Sequence, residues 1–303
     1  MAEHSSPPIM ERATGGAVWF ADPALGTVEV TGRERVSWLN GLVTCDVTKV
    51  ARGVAQYGLA VVKVGRILTD LFVVEAQDRL LVAMPRERIA AVREHLERYL
   101  IMEDAAHENV SDAWAWIRGH GPLAAALAAE VATAHGGFSG SVDVTGLGGA
   151  VLCVPAGSIP SALATLGAAE NSSIGTEAEW DALRIERGLA QFGVDFDEQT
   201  YPQEASLEKT AVSFNKGCYL GQEVVCRLEM RGHVSRKIVP LRIEGTSVPA
   251  KGAEVRADGR SVGTITSAAA AGGSVFALAM LRFAYAEIGR DVEVEGLPAR
   301  VVG

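Results

Sequence analysis

The chain has 303 residues, 48% hydrophobic and 21% charged, with a formal charge of −9. That is the make-up of a globular protein of roughly two domains that buries its own core without disulfides or a structural metal. The acidic total argues against general affinity for nucleic acid or anionic membrane, and no apolar run approaches the roughly 20 residues that cross a bilayer.

Residues 1–16 carry Pro7-Pro8 and Gly15-Gly16 but no apolar stretch, so they read as a flexible leader rather than a secretory signal. The four cysteines, Cys45, Cys153, Cys218 and Cys226, are scattered without a C-x-x-C. That points to a reducing cytoplasm, with neither a disulfide framework, a zinc site nor a ligand run for a resident iron–sulfur cluster.

Residues 27–30 predict a strand, and 33–42 a helix with Val36, Leu39 and Leu42 at three-residue spacing. The Val/Leu/Ile-rich runs 56–62, 67–74 and 79–84 read as sheet. Residues 85–100 predict a helix, with Pro85 in its first turn and Ile89, Val92, Leu96 and Leu100 on one face. A strand over 112–117, an alanine-rich helix over 122–131, a strand over 150–154 and a helix over 159–166 follow. The glycine-rich segment 135–148 matches no nucleotide-loop spacing and reads as turns around a surface strand. From 237 onward the runs 238–243, 253–256, 261–266, 274–281 and 291–295 are short and β-like, with Asp258-Gly259 and Glu295-Gly296 as hairpin turns. Residues 237–303 therefore read as a small β-barrel or sandwich, and the remainder as α+β.

The chemistry concentrates in 176–237. Thr176-Glu177-Ala178-Glu179 fits a capping box, so a helix starts there and Gly188 marks its end. Glu186 then lies beside the apolar stripe of Leu183 and Ala182 and in the last turn, where the helix dipole disfavours a carboxylate. Two readings are open: neutralisation at the surface by Arg184 or Arg187, or a carboxylate held ready for a ligand's donors. Residues 190–215 show no periodicity, and so long a loop in a compact domain usually binds something. Its Phe192, Phe196, Tyr201 and Phe214 either stack on a flat ring or pin the loop to the core. A helix is expected from near Cys218 to near Gly232, on the four-residue spacing of Leu220, Val224 and Leu228. Cys218 would sit at its N-terminus beside Lys216, and both neighbours would favour the thiolate. Cys226 would lie roughly 12 Å further along that helix, too far for a disulfide. Lys209, Lys216, Arg227, Arg231, Arg236 and Lys237 against Glu223 and Glu229 make a local basic patch suited to a small anionic tail.

The octapeptide Lys216-Gly217-Cys218-Tyr219-Leu220-Gly221-Gln222-Glu223, continued by Arg227 and Arg231-Gly232, resembles the signature of the YgfZ-type, folate-binding, CAF17-like iron–sulfur cluster assembly proteins. Residues 183–188, Phe192-Gly193-Val194-Asp195-Phe196 and Pro202-Gln203-Glu204 match as well, and the likeness extends over nearly the full length. That family is similar to the glycine-cleavage T-protein, an aminomethyltransferase that uses tetrahydrofolate. The resemblance implies an α+β three-part ring around a central folate channel, with a C-terminal β-barrel module. It implies that Glu186 holds the pterin through a bidentate pair of hydrogen bonds. Lys216, Arg227, Tyr219 and Glu204 complete the implied folate site, with Lys216 and Arg227 attracting the glutamate tail and Cys218 as the reactive thiol. The expected parts are 17–50 with 150–236, then 51–149, then the barrel 237–303.

Gly65 to Leu71 looks like the T-protein stretch with a catalytic Asp-Asp pair; Thr69 falls at the first position and Asp70 at the second. A threonine hydroxyl supplies neither the charge nor the base of a carboxylate. T-proteins also lack the motif cysteine. The first expectation is therefore a cytoplasmic, tetrahydrofolate-binding accessory protein that supports assembly or repair of iron–sulfur clusters in client proteins. The second is a one-carbon transferase or demethylase with Asp70 as acid–base group, and the third a plain interaction module. The family's link to tRNA modification reads as indirect, because the acidic chain shows no basic recognition surface.

Overall fold

A computed structural model describes residues 7–232 and 234–303, and the side chain of Arg231 lies outside what it describes. Three sheets organise the chain. One has six strands in the order Ser172–Ile174, Ala17–Asp22, Trp114–His120, Gly149–Pro155, Phe138–Ser141 and Gly53–Val54. The second has five, in the order Gln56–Val61, Ile67–Ala76, Arg79–Pro85, Leu25–Thr31 and Ala106–Asn109, all antiparallel. The third is a closed barrel of the six strands between Arg236 and Val301. The fold is mixed α+β with a C-terminal β-barrel.

Sheet membership crosses the expected boundaries. Ala17–Asp22 and Leu25–Thr31 are consecutive yet belong to different sheets, and 114–155 joins the first sheet rather than the second. One core stitches the parts together: Phe72 and Leu81 from the five-stranded sheet, Trp116 from the six-stranded sheet, Phe196 from the long loop and Leu278 from the barrel share a buried cluster.

The barrel's turns follow the sequence signals. Asp258 and Gly259 both have positive φ, as do Glu295 and Gly296, and each pair joins two antiparallel strands. Two expectations change. Residues Ile9–Gly15, placed in the flexible leader, form a helix that buries Ile9 and Ala13, with Arg12 ion-paired to Glu179; the leader's residues 1–6 lie outside the described residues. The helix expected over 85–100 begins only at Ile89, because Pro85 still ends a strand and Arg86–Arg88 form a 3-10 turn. In the glycine-rich segment, Asp143 accepts the backbone N–H groups of Thr145, Gly146 and Gly148 at 2.7–3.0 Å. These three donors are thus engaged by an internal carboxylate rather than offered to a bound anion.

Candidate functional site

Helix Glu177–Glu186 starts with the expected capping box of Thr176 and Glu179 and ends at Glu186. Its two arginines do not neutralise Glu186. Arg184 is 1% exposed and turns inward: Nη1 donates to Asp195 Oδ2 at 2.8 Å and Nε to Asp181 Oδ1 at 2.7 Å. Arg187 Nε donates to the carbonyl of Thr145 at 2.6 Å. Glu186 is half-buried and, among the described residues, has no hydrogen-bond or ion-pair partner; burial raises its pKa, opposed by the nearby charge of Arg187.

The three residues after it, Arg187, Gly188 and Leu189, line a cavity of about 960 Å³ between the body and the barrel, whose far wall includes Pro240, Phe283 and Ile288. A cavity of this size at a junction of parts, mostly apolar with a few polar groups, suits a small organic ligand.

A second cavity, of about 630 Å³, is lined by Asp22, Asp70, Arg86, Glu87, Arg118 and Phe192. Strand alternation explains which half of the Thr69-Asp70 pair reaches it. Thr69 is fully buried, on the strand face that carries Leu71 and Val73 into the core beneath helix Arg35–Asn40. Asp70 shares the opposite face with Phe72 and accepts a 3.1 Å hydrogen bond from Tyr57 Oη. Burial raises the pKa of Asp70; the Tyr57 bond and the charge of Arg118 oppose this, and Asp22 adds to it. Arg118 is itself held by Asp22 at 2.7 Å and lies 4.1 Å above the Trp180 ring. Tyr57, Arg118 and Asp22 escaped the sequence reading. The available signals were a charged residue amid the apolar strand Trp114–His120, and a tyrosine facing Phe72 across the hairpin.

The motif residues divide. Lys216 places its ammonium 2.6–2.9 Å from the carbonyls of Asn40, Val43 and Cys45 and 5.4 Å from the Tyr219 ring centroid. All three of its protons are thereby used. Burial lowers its pKa to about 8, so it still carries its charge near neutrality. Lys216 is thus a latch on the 40–45 turn rather than a free cation for an anionic tail. Glu204 is likewise engaged: it is 5% exposed, accepts the Tyr201 N–H at 3.0 Å and pairs with Arg236 at 3.0 Å, tying the loop to the barrel's first strand. Tyr219 is buried, its hydroxyl has no hydrogen-bond partner among the described residues, and burial raises its pKa. Arg227 is exposed and unpaired among the described residues. The basic patch largely dissolves, since Arg236 and Lys237 pair with Glu204 and Glu208.

Cys218 is exposed, but the helix expected to begin there starts at Gln222. Gly221 is the reason. It sits at φ 78°, and a Cβ there would meet the Val62 carbonyl oxygen at 2.6 Å, so the chain turns sharply before the helix can form. Cys218 therefore lies in the turn before the helix rather than at its N-terminus. The helical spacing that separated it from Cys226 does not apply either. The loop aromatics mostly pin the loop: Phe192 and Phe196 are buried, edge to face at 5.6 Å.

A GCVT N-terminal domain model matches residues 15–139, and a CAF17 C-terminal β-barrel domain model matches residues 236–302. The chain thus joins a GCVT-type N-terminal domain to a CAF17-type C-terminal β-barrel, a combination consistent with a CAF17/YgfZ-like protein related to the glycine-cleavage aminomethyltransferases. It is 27% identical over 271 residues to the aminomethyltransferase of Chlorobium chlorochromatii, covering 80% of this chain and 72% of that protein. To the enzyme of Herpetosiphon aurantiacus it is 28% identical, covering 92% and 82%. The crystal structure of the glycine cleavage system aminomethyltransferase T from Bartonella henselae superposes with a TM-score of 0.80 at 20% identity, covering 97% of this chain and 87% of that one, so the fold is T-protein-like. No helix among the described residues is long and apolar enough to cross a membrane.

Proposed function

We propose that this CAF17/YgfZ-like protein binds tetrahydrofolate and acts in the cytoplasm as an accessory factor for assembly or repair of iron–sulfur clusters in client proteins. The observation that carries the reading is Glu186, a half-buried carboxylate with no partner among the described residues, immediately before the residues 187–189 that line the body–barrel cavity. Leaving a desolvated carboxylate unpaired is unfavourable, and a ligand presenting an N–H beside an NH₂ offers it two charge-assisted hydrogen bonds. The pterin edge of a folate has that pattern. Of the residues implied for the folate, Glu186 fits, whereas Lys216 and Glu204 are consumed by internal bonds. Bound tetrahydrofolate would supply a one-carbon acceptor or carrier; the chain's own part is to orient the ring through Glu186 and to shield it in the cavity. The CAF17-type barrel supports the accessory role over a transferase.

Calorimetric titration with tetrahydrofolate under anaerobic, reducing conditions tests this. The wild type is expected to bind saturably and Glu186→Ala to bind roughly tenfold or more weakly, the value of a charged hydrogen-bonded contact. Absence of wild-type binding would refute it.

One observation favours a second reading, a folate-dependent aminomethyltransferase or demethylase: Asp70 with a raised pKa, braced by Tyr57 and facing a cavity. A carboxyl tuned upward is suited to accept and return a proton near neutral pH. Release of methylene-tetrahydrofolate from an aminomethyl donor, lost in Asp70→Asn, would establish it; no turnover with intact folate binding would leave the accessory role.

A further inference from the structure

The segment between helix Ile89–Glu97 and the edge strand Ala106–Asn109 holds two large apolar side chains out in solvent. Ile101 is 82% and Met102 90% exposed, more than any other large apolar side chain among the described residues. Single exposed apolar residues are ordinary on a protein surface, but an adjacent pair left wholly wet by the fold marks a place for contact with another molecule.

The loop is fixed in that posture. Glu103 accepts the backbone N–H groups of Ile101 and Met102 at 2.9 and 3.0 Å. Before them, the Tyr99 carbonyl accepts the indole N–H of buried Trp38 at 3.0 Å. After them, the Asp104 N–H donates to the Glu34 carboxylate at 2.7 Å, and the Asp104 carbonyl accepts the Glu34 N–H at 2.9 Å. Asp104 also pairs with Arg33. A free loop can turn its apolar side chains toward the body. This one presents them, so little ordering entropy is left to lose when they are covered.

The surroundings select the partner's chemistry. Residues 33–35 and 93–108 carry six carboxylates and four arginines. Each arginine is already bonded: Arg33 to Asp104, Arg98 to Glu94, Arg93 to His107 and Arg35 to the Gly32 carbonyl. What the rim still offers is therefore carboxylate oxygens, those of the exposed Glu94 and Glu97 among them. Two copies meeting about a two-fold axis would set acidic rim against acidic rim, and an anionic bilayer would repel it. A partner protein with cationic donors meets neither obstacle.

We infer that Ile101 and Met102 are the anchors of a docking knob for a partner protein that offers an apolar pocket bordered by Lys or Arg. Neither residue lines the body–barrel cavity or the Asp70 cavity, so the knob stands apart from the folate reading and does not depend on it. Two anchors inside a polar rim make a small interface of the transient class.

The test places photoreactive p-benzoylphenylalanine at Met102 of the full-length protein and, as a control, at the exposed Glu130 on helix Ala124–His135, and cross-links each in cells. A protein captured at 102 and not at 130 is purified and titrated against the wild type. The cross-linked peptide is expected to combine apolar residues with Lys or Arg, and the binding to weaken as salt rises. Met102→Asp is expected to weaken it roughly tenfold or more, the worth of one buried apolar side chain. Glu103→Ala, which frees the loop and keeps both anchors, is expected to weaken it severalfold. Met102→Asp is expected to keep the wild-type urea midpoint and the wild-type response to tetrahydrofolate, so lost docking is told apart from a lost fold or a lost folate site. A cross-link only to a second copy or to lipid, no product specific to 102, or a partner whose affinity survives Met102→Asp overturns the inference, whatever the folate titration gives.

Discussion

Asp195 offers the sharpest test of how the barrel is joined to the helix that ends at Glu186. Its side chain is fully buried, and its two oxygens take four donors from three elements. Oδ2 accepts Arg184 Nη1 at 2.8 Å and the Gln191 N–H at 3.0 Å; Oδ1 accepts the hydroxyls of Thr266 and Ser267, each at 2.6 Å. Thr266 and Ser267 lie where the barrel strand Arg260–Ala271 breaks register, so the irregularity aims both hydroxyls at one carboxylate. In Asp195→Ala, Arg184 keeps Asp181, which is 46% exposed, and a 3.4 Å contact to Ser267 Oγ; Thr266 falls back on the Leu278 carbonyl, while the Gln191 N–H and the Ser267 hydroxyl lose their acceptor. Removing one partner of a buried ion pair costs about 3–5 kcal/mol. The surviving Asp181 contact puts the expectation near the lower figure, about 3 kcal/mol. Urea unfolding followed by tryptophan fluorescence measures it, as a fall in midpoint with the slope retained. The double variant Arg184→Met, Asp195→Leu removes both charges and is expected to recover most of the loss. A loss under about 1 kcal/mol in Asp195→Ala, or a double variant no better than the single one, would refute the reasoning that this pair clamps the parts together.

Further outcomes are expected. Asp70→Asn should stabilise the folded protein at neutral pH: a raised folded-state pKa means the native state disfavours the carboxylate, so the wild type loses stability as pH rises through that pKa. Urea midpoints at several pH values check this, with the benefit of the substitution shrinking toward acid pH. Gly221→Ala should cost more than about 1 kcal/mol, because φ 78° and the Val62 carbonyl at 2.6 Å both oppose a side chain; thermal unfolding measures it. In timed alkylation read by mass spectrometry, Cys218 should react first, since it is exposed, whereas Cys45, buried with its pKa pushed up to about 12, and Cys153 should react only on unfolding. Lys216→Met should leave three carbonyls of the 40–45 turn without their shared donor and raise hydrogen exchange there, an effect Lys216→Arg repairs only in part because a planar guanidinium cannot reproduce the ammonium's three directions.

Where local pattern decides the structure, the sequence was readable. The capping box at Thr176, the two hairpin turns of the barrel and the apolar spacing of 89–96 each encode a contact made within a few residues, and each appears in the fold. The failures have a common cause. The helix over 9–15 packs Ile9 and Ala13 against Val18, Trp180 and Leu183 and pairs Arg12 with Glu179, a partner 167 residues away that no local window contains. Lys216 looked like a free cation because its acceptors, 171–176 residues upstream, are backbone carbonyls and have no residue signature. The Cys218 helix was placed four residues early because leucine spacing continued through Gly221, where a close approach to Val62 stops it.

The same distinction bears on which reading of the function the fold favours. A motif marks residues that a family holds fixed, but it does not say which of them touch a ligand. Here Lys216 and Gly221 shape the 40–45 turn and the approach to helix Gln222–Arg231, and Glu204 ties the loop to the barrel. Among the described motif and cavity residues, the groups left with unused bonding capacity include the carboxylate of Glu186, the ammonium of Lys209, the guanidinium of Arg227, the hydroxyl of Tyr219 and the thiol of Cys218, with Arg187 used in part by the Thr145 carbonyl. Unused capacity at a cavity is the signature of a site that binds, whereas the proton-tuned signature of chemistry sits apart, at Asp70 and Tyr57. The two readings thus depend on different residues. Glu186→Gln and Asp70→Asn, assayed side by side for folate binding and for one-carbon transfer, separate them: binding lost with the first and unaffected by the second, with no turnover in the wild type, is the pattern expected of an accessory folate protein built on a transferase fold.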